Sequence, residues 1–369
     1  MHDFEFESPR SLAEAVSLLA SRDSRPLAGG TDLIDHMRTG RFRPTLVVDL
    51  KKIPELTQLV TDSNGLRLGA AVPCYQLQAC STIRDHYSAI ADAVSIIGGV
   101  QIQNRATVGG NLCTSGPAAD SAPALLALGA TCHITGPQGN RTLPLEQFFT
   151  GPGKNVLQPG EILVEITCPA RAAKSGSNYR RFIPRNELDI AVVGVGVSIT
   201  LDASGKTITA ARIGLGAVGP TPILALDAAK TLIGQPASDA SYQTAGEAAR
   251  AATRPIDDMR GTVEFRRHVT GVLVERSPAR RSPALAAKAS TTVMSAFRAR
   301  DESPPDFPSL NVPSLLSGHP LRAIRQEPIR RISPCPANAL SPVPSTVTKS
   351  SSCASLGRRC SACCVTPSI

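Results

Sequence analysis

The amino-acid sequence changes character at Ser277, and this change limits how much of the chain can form a folded core. Residues 277–369 contain 13 prolines and 17 serines but only two aromatic residues. A segment of this composition buries too little apolar surface to offset the conformational entropy that is lost on folding. We therefore predict a folded body over residues 1–276 and a disordered tail over residues 277–369.

The composition of the tail also suggests how it arose. Arg, Pro, Ser and Cys are enriched there without periodicity, as expected when a GC-rich gene is translated in the wrong frame. We interpret the tail as an out-of-frame or extraneous translation, with a genuine disordered extension as the alternative. Translating the gene in its other frames distinguishes the two, because a frameshift requires a helical, Leu- and Ala-rich continuation in one of those frames.

The net charge of +9 belongs almost entirely to the tail. The tail holds 12 Lys and Arg against 4 Asp and Glu, which leaves 27 basic and 26 acidic residues in the body. A nucleic-acid-binding face requires clustered basic residues, with stacking aromatic residues nearby for single strands. The body has no such cluster in its sequence, so we expect no nucleic-acid partner.

Targeting signals and cysteine usage indicate a cytoplasmic protein. The first residues, Met1 to Glu7, are acidic and lack the basic and apolar regions of a secretory signal. The longest apolar stretch, Ile190–Ile199, is too short to span a bilayer. The cysteines of the body lack metal-ligand spacing and are typical of small buried hydrophobic residues: Cys74, Cys80, Cys113, Cys132 and Cys168. We therefore expect no membrane span and no metal site.

Hydrophobic periodicity divides the body into three regions. Residues 1–55 alternate strands with a helix and form a small α/β lobe, and residues 56–172 form a second α/β lobe with a predicted helix over residues 118–130. Residues 173–276 read as strands followed by amphipathic helices around residues 224–233, 239–252 and 262–275, which is typical of a separate α+β domain. We predict one domain over residues 1–172 and another over residues 173–276.

Two glycine pairs, in the turns at residues 26–33 and 107–111, are the strongest candidates for a ligand site. Each turn follows an extended stretch and precedes a predicted helix. Glycine permits positive φ and lets a diphosphate approach the backbone N–H groups without a Cβ in the way, and a helix N-terminus favours an anion. One pair alone is explained as a tight turn. Two pairs at a lobe boundary are better interpreted as the two halves of one phosphate site.

Other candidate residues carry weaker signals. Asp120, predicted just inside the helix after the second turn, fits either a hydrogen bond to a ribose or phosphate-loop amide, or a helix-start residue favoured by the dipole. The glycines Gly214, Gly216 and Gly219 match a dinucleotide fingerprint, but the prolines that follow prevent the required helix. We predict a strand end and a turn there. No nucleophile or acid–base motif is present, so no catalytic residue is assigned.

These turns and their surroundings resemble the FAD-binding medium subunit of the molybdenum hydroxylases, the family of carbon monoxide dehydrogenase and xanthine dehydrogenase. The resemblance covers about residues 1–276 and rests on segments that keep the family's order: 27–34, 101–113, 117–130, 160–166, 185–191, 215–222 and 265–268. This ordered set is more specific than any single motif.

The resemblance implies a two-lobed FAD-binding domain of the vanillyl-alcohol-oxidase (PCMH) type, followed by an α+β domain with an antiparallel sheet and helices. It implies FAD contacts at Leu27, Ala28, Gly29, Gly30, Thr31, Asp32 and Leu33 in the first turn, at Thr107, Val108, Gly109, Gly110 and Asn111 in the second, and at Asp120, Leu163 and Arg181. Two positions depart from the family pattern. Arg181 stands where relatives often have lysine, and its bulkier fork alters that contact, while Gln103 stands where arginine is common.

The resemblance also implies two partner subunits. A molybdopterin-containing large subunit would oxidise the substrate, and a small subunit with two [2Fe–2S] clusters would pass the electrons to FAD on this chain. The final acceptor, whether NAD, quinone or oxygen, is left open. Two other functions remain as alternatives: a stand-alone FAD-dependent oxidoreductase that binds its own substrate, and a non-redox nucleotide-binding module.

Overall fold

The computed structural model describes residues 2–21, 23–185 and 188–277, and the predicted tail lies outside them apart from Ser277. The N-terminal lobe is a parallel sheet in the order β1-β3-β2. Its strands are β1 (Glu5–Glu7), β2 (Ser24–Leu27) and β3 (Leu46–Asp49), and its helices are α1 (Leu12–Ser21), α2 (Leu33–Arg38) and α3 (Pro54–Thr57). The strand, helix, strand, turn and strand predicted for residues 1–55 are all present.

The second lobe is built on a five-stranded antiparallel sheet. Its strands are β4 (Leu59–Asp62), β5 (Gly65–Gly69), β6 (Thr131–Gly136), β7 (Gly139–Pro144) and β10 (Ile162–Pro169), with a small hairpin of β8 (Phe149–Gly151) and β9 (Lys154–Asn155). Its helices are α4 (Cys74–Ala79), α5 (Ser81–His86), α6 (Ser88–Val94), α7 (Val100–Gln103), α8 (Val108–Thr114) and α9 (Ser121–Leu128). The sheet order is β4-β5-β10-β6-β7. The central strand is therefore β10, although it is the last of the five in the sequence.

The two lobes share one hydrophobic core rather than having one each. A single cluster of buried residues includes Leu46 and Val48 from β3, Leu66 from β5 and Ile166 from β10. Burying these aliphatic side chains contributes on the order of 2 kcal/mol each. Strands of both sheets therefore depend on the same packed interior, and the turns between the lobes are held from both sides.

The C-terminal region forms an antiparallel sheet covered on one face by helices. Its strands are β11 (Ser175–Phe182), β12 (Val193–Leu201), β13 (Ile208–Gly216) and β14 (Ile223–Leu224), and its helices are α10 (Leu226–Lys230), α11 (Asp239–Ala252) and α12 (Val263–Glu275). Its core is a second cluster that takes Val193, Val195 and Val197 from one face of β12. The α+β arrangement agrees with the predicted fold class.

No helix among the described residues is long and apolar enough to cross a membrane.

Helix α9 packs against glycines on the opposite face of the C-terminal sheet. Successive strand residues point to opposite faces, so Gly196 faces away from the valine core. A Cβ on Gly196 would lie 2.3 Å from the carbonyl oxygen of Pro123 in α9, and one on Gly214 would lie 2.2 Å from the same atom. All eight residues of α9 are buried. The second lobe can therefore pack on the C-terminal sheet because these glycines have no side chains.

The glycine motif in this sheet does not form a dinucleotide-binding turn. Gly214 and Gly216 belong to β13 and Gly219 to the turn after it, which confirms the rejection of a dinucleotide fingerprint.

We predict that Gly196→Ala lowers the free energy of unfolding by about 1–3 kcal/mol, because overpacking of a tight contact costs this much. The new methyl group meets backbone atoms of Pro123, which cannot move without shifting α9. Urea denaturation followed by circular dichroism measures the loss. The matched control is Gly116→Ala, whose Cβ meets nothing within 4 Å. Equal stability of the two variants would contradict the proposed role of Gly196.

Candidate functional site

The first glycine turn presents a row of unused backbone donors. It runs from the end of β2 at Leu27 to the start of α2 at Leu33, and Gly30 has the left-handed φ of 80°. Six successive N–H groups, those of residues 28–33, donate to no acceptor in the described part of the chain. Residues 28–31 are only partly exposed. Partly buried backbone donors without a partner are costly, so a turn of this kind is suited to an anionic ligand.

The second turn differs from the first, because two of its amides, those of Gly110 and Asn111, already have acceptors. Thr107 precedes α8, and its hydroxyl oxygen accepts a hydrogen bond from the N–H of Gly110 at 3.0 Å. The N–H of Asn111 donates to the carbonyl oxygen of Thr107 at 3.0 Å. A Cβ on Gly109 would lie 2.4 Å from the carbonyl oxygen of Ala70, so this glycine packs against the chain that leaves β5. The second turn is thus partly closed by its own hydrogen bonds and by this packing, whereas all six donors of the first turn stay available among the described residues.

The structure brings the two turns into contact. A Cβ on Gly29 would lie 2.1 Å from the carbonyl oxygen of Arg105, two residues before the second turn. The hydroxyl of Thr114, at the end of α8, donates to Oδ2 of Asp32 at 3.0 Å. This agrees with the interpretation of the two turns as one site.

Asp120 and Arg181 bind each other in a buried cluster. Nη1 of Arg181 donates to Oδ2 of Asp120 at 2.8 Å, and the hydroxyl of Tyr179 donates to Oδ1 at 2.7 Å. The side chains of Arg181 and Asp120 are 5% and 11% exposed. Asp120 lies one residue before α9 instead of inside it and makes no capping hydrogen bond. Asp120 is therefore the N-cap residue of α9, but its side chain bonds to Tyr179 and Arg181 instead of to the first turn of the helix.

The electrostatics of this cluster are dominated by burial. Burial raises the pKa of the Asp120 carboxyl, while the Arg181 guanidinium and the hydrogen bond from Tyr179 act in the opposite direction. Burial and the neighbouring Asp120 raise the pKa of Tyr179 well above its usual value. Tyr179 therefore keeps its proton and remains a hydrogen-bond donor to Asp120 at physiological pH.

A short chain of hydrogen bonds connects this cluster to the second turn. Oδ1 of Asn111 accepts from the hydroxyl of Ser121 at 2.6 Å and lies 3.4 Å from its N–H. Ser121 is the residue next to Asp120. Tyr179 and Arg181 also line a groove of about 560 Å³ between α6, β11 and the end of α12. Of the predicted site residues, Arg181 thus lines this groove, while Asp120 is linked to the second turn through Ser121 and Asn111.

Two other residues singled out in the sequence take structural positions. Leu163 is 3% exposed and belongs to the shared core at a bulge in β10, between the two lobes' packed layers. Gln103 is buried, donates to the carbonyl oxygen of Ser95 and accepts from Gln78, so it ties α7 to neighbouring helices. Tyr179 was missed in the sequence. Its position two residues before Arg181 on one strand, and hence on the same face, was the signal that could have found it.

Comparisons with known proteins match most of the described chain. Residues 2–171 match the family described as "FAD binding domain in molybdopterin dehydrogenase", and residues 178–279 match the "CO dehydrogenase flavoprotein C-terminal domain". The carbon monoxide dehydrogenase medium chain of Hydrogenophaga pseudoflava is 31% identical over 74% of this chain and 95% of its own length. The xanthine dehydrogenase FAD-binding subunit of Escherichia coli O157:H7 is 32% identical over 75% of this chain and 95% of its own length.

Solved structures show the same likeness. A crystal structure of Cu,Mo-CO dehydrogenase contains a chain that is 31% identical, with a TM-score of 0.71, over 74% of this chain and 96% of that one. Quinoline 2-oxidoreductase from Pseudomonas putida 86 contains a chain that is 26% identical, with a TM-score of 0.69, over 74% of this chain and 95% of that one. Both likenesses cover nearly the whole of the related chains.

Proposed function

This chain belongs to the family of FAD-binding subunits of molybdopterin-containing dehydrogenases, whose members are oxidoreductase subunits with FAD as cofactor, and we propose that it carries electrons inside such a complex. In this proposal, a small partner subunit with two [2Fe–2S] clusters delivers the electrons, and a molybdopterin-containing large subunit oxidises the substrate. An external acceptor then takes the electrons from this chain.

The observation that carries the assignment of the site is the row of six N–H groups at residues 28–33 that donate to no acceptor in the described part of the chain. A diphosphate offers anionic oxygens that accept such donors, and hydrogen bonds to a charged acceptor contribute about 1.5–3 kcal/mol each. The contact between Gly29 and Arg105 leaves no space for a side chain, so the backbone itself faces the ligand. We propose that Leu27–Leu33 hold the diphosphate, and that Thr107–Asn111 support them from the side.

Asp120, Leu163 and Arg181 complete the proposed site. Each carboxylate oxygen of Asp120 accepts one hydrogen bond within the chain and keeps a lone pair for a cofactor hydroxyl. Arg181 and Tyr179 hold that carboxylate in place, and Leu163 contributes to the apolar layer beneath. When bound, FAD supplies a ring system that accepts and releases electrons. The residues of this chain bind and orient it and exclude water from the buried side.

The proposal assigns a role to each of the two domains and a cellular location to the protein. Residues 1–172 would bind FAD, and residues 173–276 would cover it through β11 and support the lobes through the sheet on which α9 packs. The relatives are named as medium chains and FAD subunits of larger enzymes, which supports a complex rather than a lone protein. The five cysteines in the described residues are free thiols, which supports a cytoplasmic location.

Isolation of the tagged full-length chain from its own host tests this function. We expect a yellow complex with two further polypeptides, FAD released on denaturation, molybdenum, and about four iron atoms per flavin. Anaerobic addition of the complex's substrate should bleach the flavin absorbance only when the iron–sulfur subunit is present. Bleaching in the isolated chain would instead show a stand-alone oxidoreductase. A colourless chain that binds a nucleotide but no FAD would overturn the redox function.

A further inference from the structure

Lys51 makes a contact with the first glycine turn that none of the motifs indicated. It follows β3, and its ammonium group donates to the carbonyl oxygen of Ala28 at 3.2 Å. The same ammonium group forms an ion pair with Asp49, whose carboxylate also accepts a hydrogen bond from the backbone N–H of Lys51 at 3.2 Å. Asp49 is buried in β3 and pairs with Leu27 of β2, so its ion pair holds the ammonium group of Lys51 close to the first turn.

The contact with Ala28 determines where the next backbone donor points. In a trans peptide the C=O and the following N–H lie in one plane and point in opposite directions. Holding the carbonyl of Ala28 on Lys51 therefore directs the N–H of Gly29 away from Lys51. The N–H of Leu50 donates to the carbonyl oxygen of Leu27 at 3.0 Å and sets the N–H of Ala28 in the same way. The first two donors of the row are thus positioned by residues 50 and 51.

The lysine also retains a donor and a charge for a ligand. An ammonium group has three N–H donors, of which Asp49 and Ala28 occupy two. Its side chain is 31% exposed, so the third N–H is accessible at the edge of the turn. If the lysine were absent, the carboxylate of Asp49 would remain near the turn as an uncompensated negative charge and would repel a diphosphate.

We infer that Lys51, held by Asp49, positions the phosphate-binding turn, and that its charge strengthens the attraction of the turn for the diphosphate of FAD. This inference rests on the proposed function of the turn. A purely structural lysine that ties β3 to β2 would change the stability of the protein, whereas a positioning residue changes the affinity for FAD and the dependence of that affinity on salt.

Lys51→Met and Lys52→Met in the full chain form a matched pair, because Lys52 is exposed and forms no hydrogen bond or ion pair with the turn among the described residues. After removal of the flavin, FAD is titrated back by fluorescence quenching at low and at high KCl concentration, with ADP as a competitor that carries the diphosphate alone. We expect Lys51→Met to bind FAD and ADP at least about tenfold more weakly than the unmodified chain, with a smaller effect of KCl, and Lys52→Met to bind normally. Lys51→Arg should recover part of the affinity.

A further variant controls for the buried carboxylate. In Asp49→Asn/Lys51→Met both charges are absent, and we expect FAD binding to remain weaker than in the unmodified chain because the Ala28 carbonyl is still not held. The inference is wrong if Lys51→Met binds FAD as Lys52→Met does, or if its only defect is a lower melting temperature of the flavin-free protein. If the unmodified chain fails to bind FAD, the proposed function itself is wrong, so the two failures are distinct.

Discussion

Replacing Gly29 with alanine is expected to leave the purified protein without FAD. The added Cβ would lie 2.1 Å from the carbonyl oxygen of Arg105, which is a backbone atom that cannot rotate away. Relief of this clash separates the first turn from the second and misdirects the donors of residues 28–33. A loss on the order of 3 kcal/mol, or about 100-fold in affinity, follows from the overpacking and one lost charge-assisted hydrogen bond. The ratio of flavin to protein absorbance measures it.

Gly151→Ala is the control for this variant, because a Cβ at Gly151 meets nothing within 4 Å and the residue does not require positive φ. It should purify with the same flavin content as the unmodified chain. Circular dichroism checks that both variants fold. A folded Gly29→Ala protein that retains a full complement of FAD would show that the first turn does not hold the diphosphate.

The second large effect is expected at Arg181. Arg181→Met removes the cation from a carboxylate that stays buried, and breaking a buried ion pair in this way costs about 3–5 kcal/mol near neutral pH. Tyr179 alone then satisfies Asp120. Because Asp120 lies beside the second turn through Ser121 and Asn111, we expect weaker FAD binding together with the lower stability. Thermal unfolding with and without added FAD measures both.

The pH dependence of this loss identifies its cause. In the unmodified chain burial raises the pKa of Asp120 and Arg181 opposes the rise, so removing Arg181 raises that pKa further. A carboxyl whose folded pKa is raised prefers the protonated form, so its stability is retained below the unfolded pKa of about 4 and lost as pH rises toward the folded pKa. The deficit of Arg181→Met should therefore shrink in acid. Arg180→Met, at the exposed neighbouring position, should show no such dependence.

The sequence was sufficient to single out the residues of the candidate site, whose role stays a prediction, but not to show how they are arranged. Glycine pairs stand out in any sequence, and both predicted turns do meet in the structure. The two turns differ in how many N–H groups already have an acceptor: Gly110 and Asn111 donate to Thr107 within the second turn, whereas residues 28–33 donate to no acceptor among the described residues. Asp120 and Arg181 were both singled out, yet their pairing across 61 positions depends on how β11 packs on α9.

Element types were predicted better than element limits. The helix predicted over residues 118–130 is limited to Ser121–Leu128, because Gly129 adopts a left-handed φ that ends it. The helix predicted over residues 224–233 is α10, Leu226–Lys230, preceded by the short strand β14 that pairs with β13. Pairing of this kind is a tertiary event, and local periodicity does not report it. The predicted tail from residue 278 onward lies outside the described residues.

The central position of β10 has a consequence for the order in which the protein matures during synthesis. β10 pairs with β5, about 100 residues earlier in sequence, and closing so long a loop is slow because the entropy is lost before the contacts form. Ala70, against which Gly109 packs, has its N–H held by the carbonyl oxygen of Val164 in β10. Both glycine turns are therefore translated well before their support exists. Cofactor uptake must follow translation of β10, which makes flavin incorporation a late step and a marker that the lobe has finished folding.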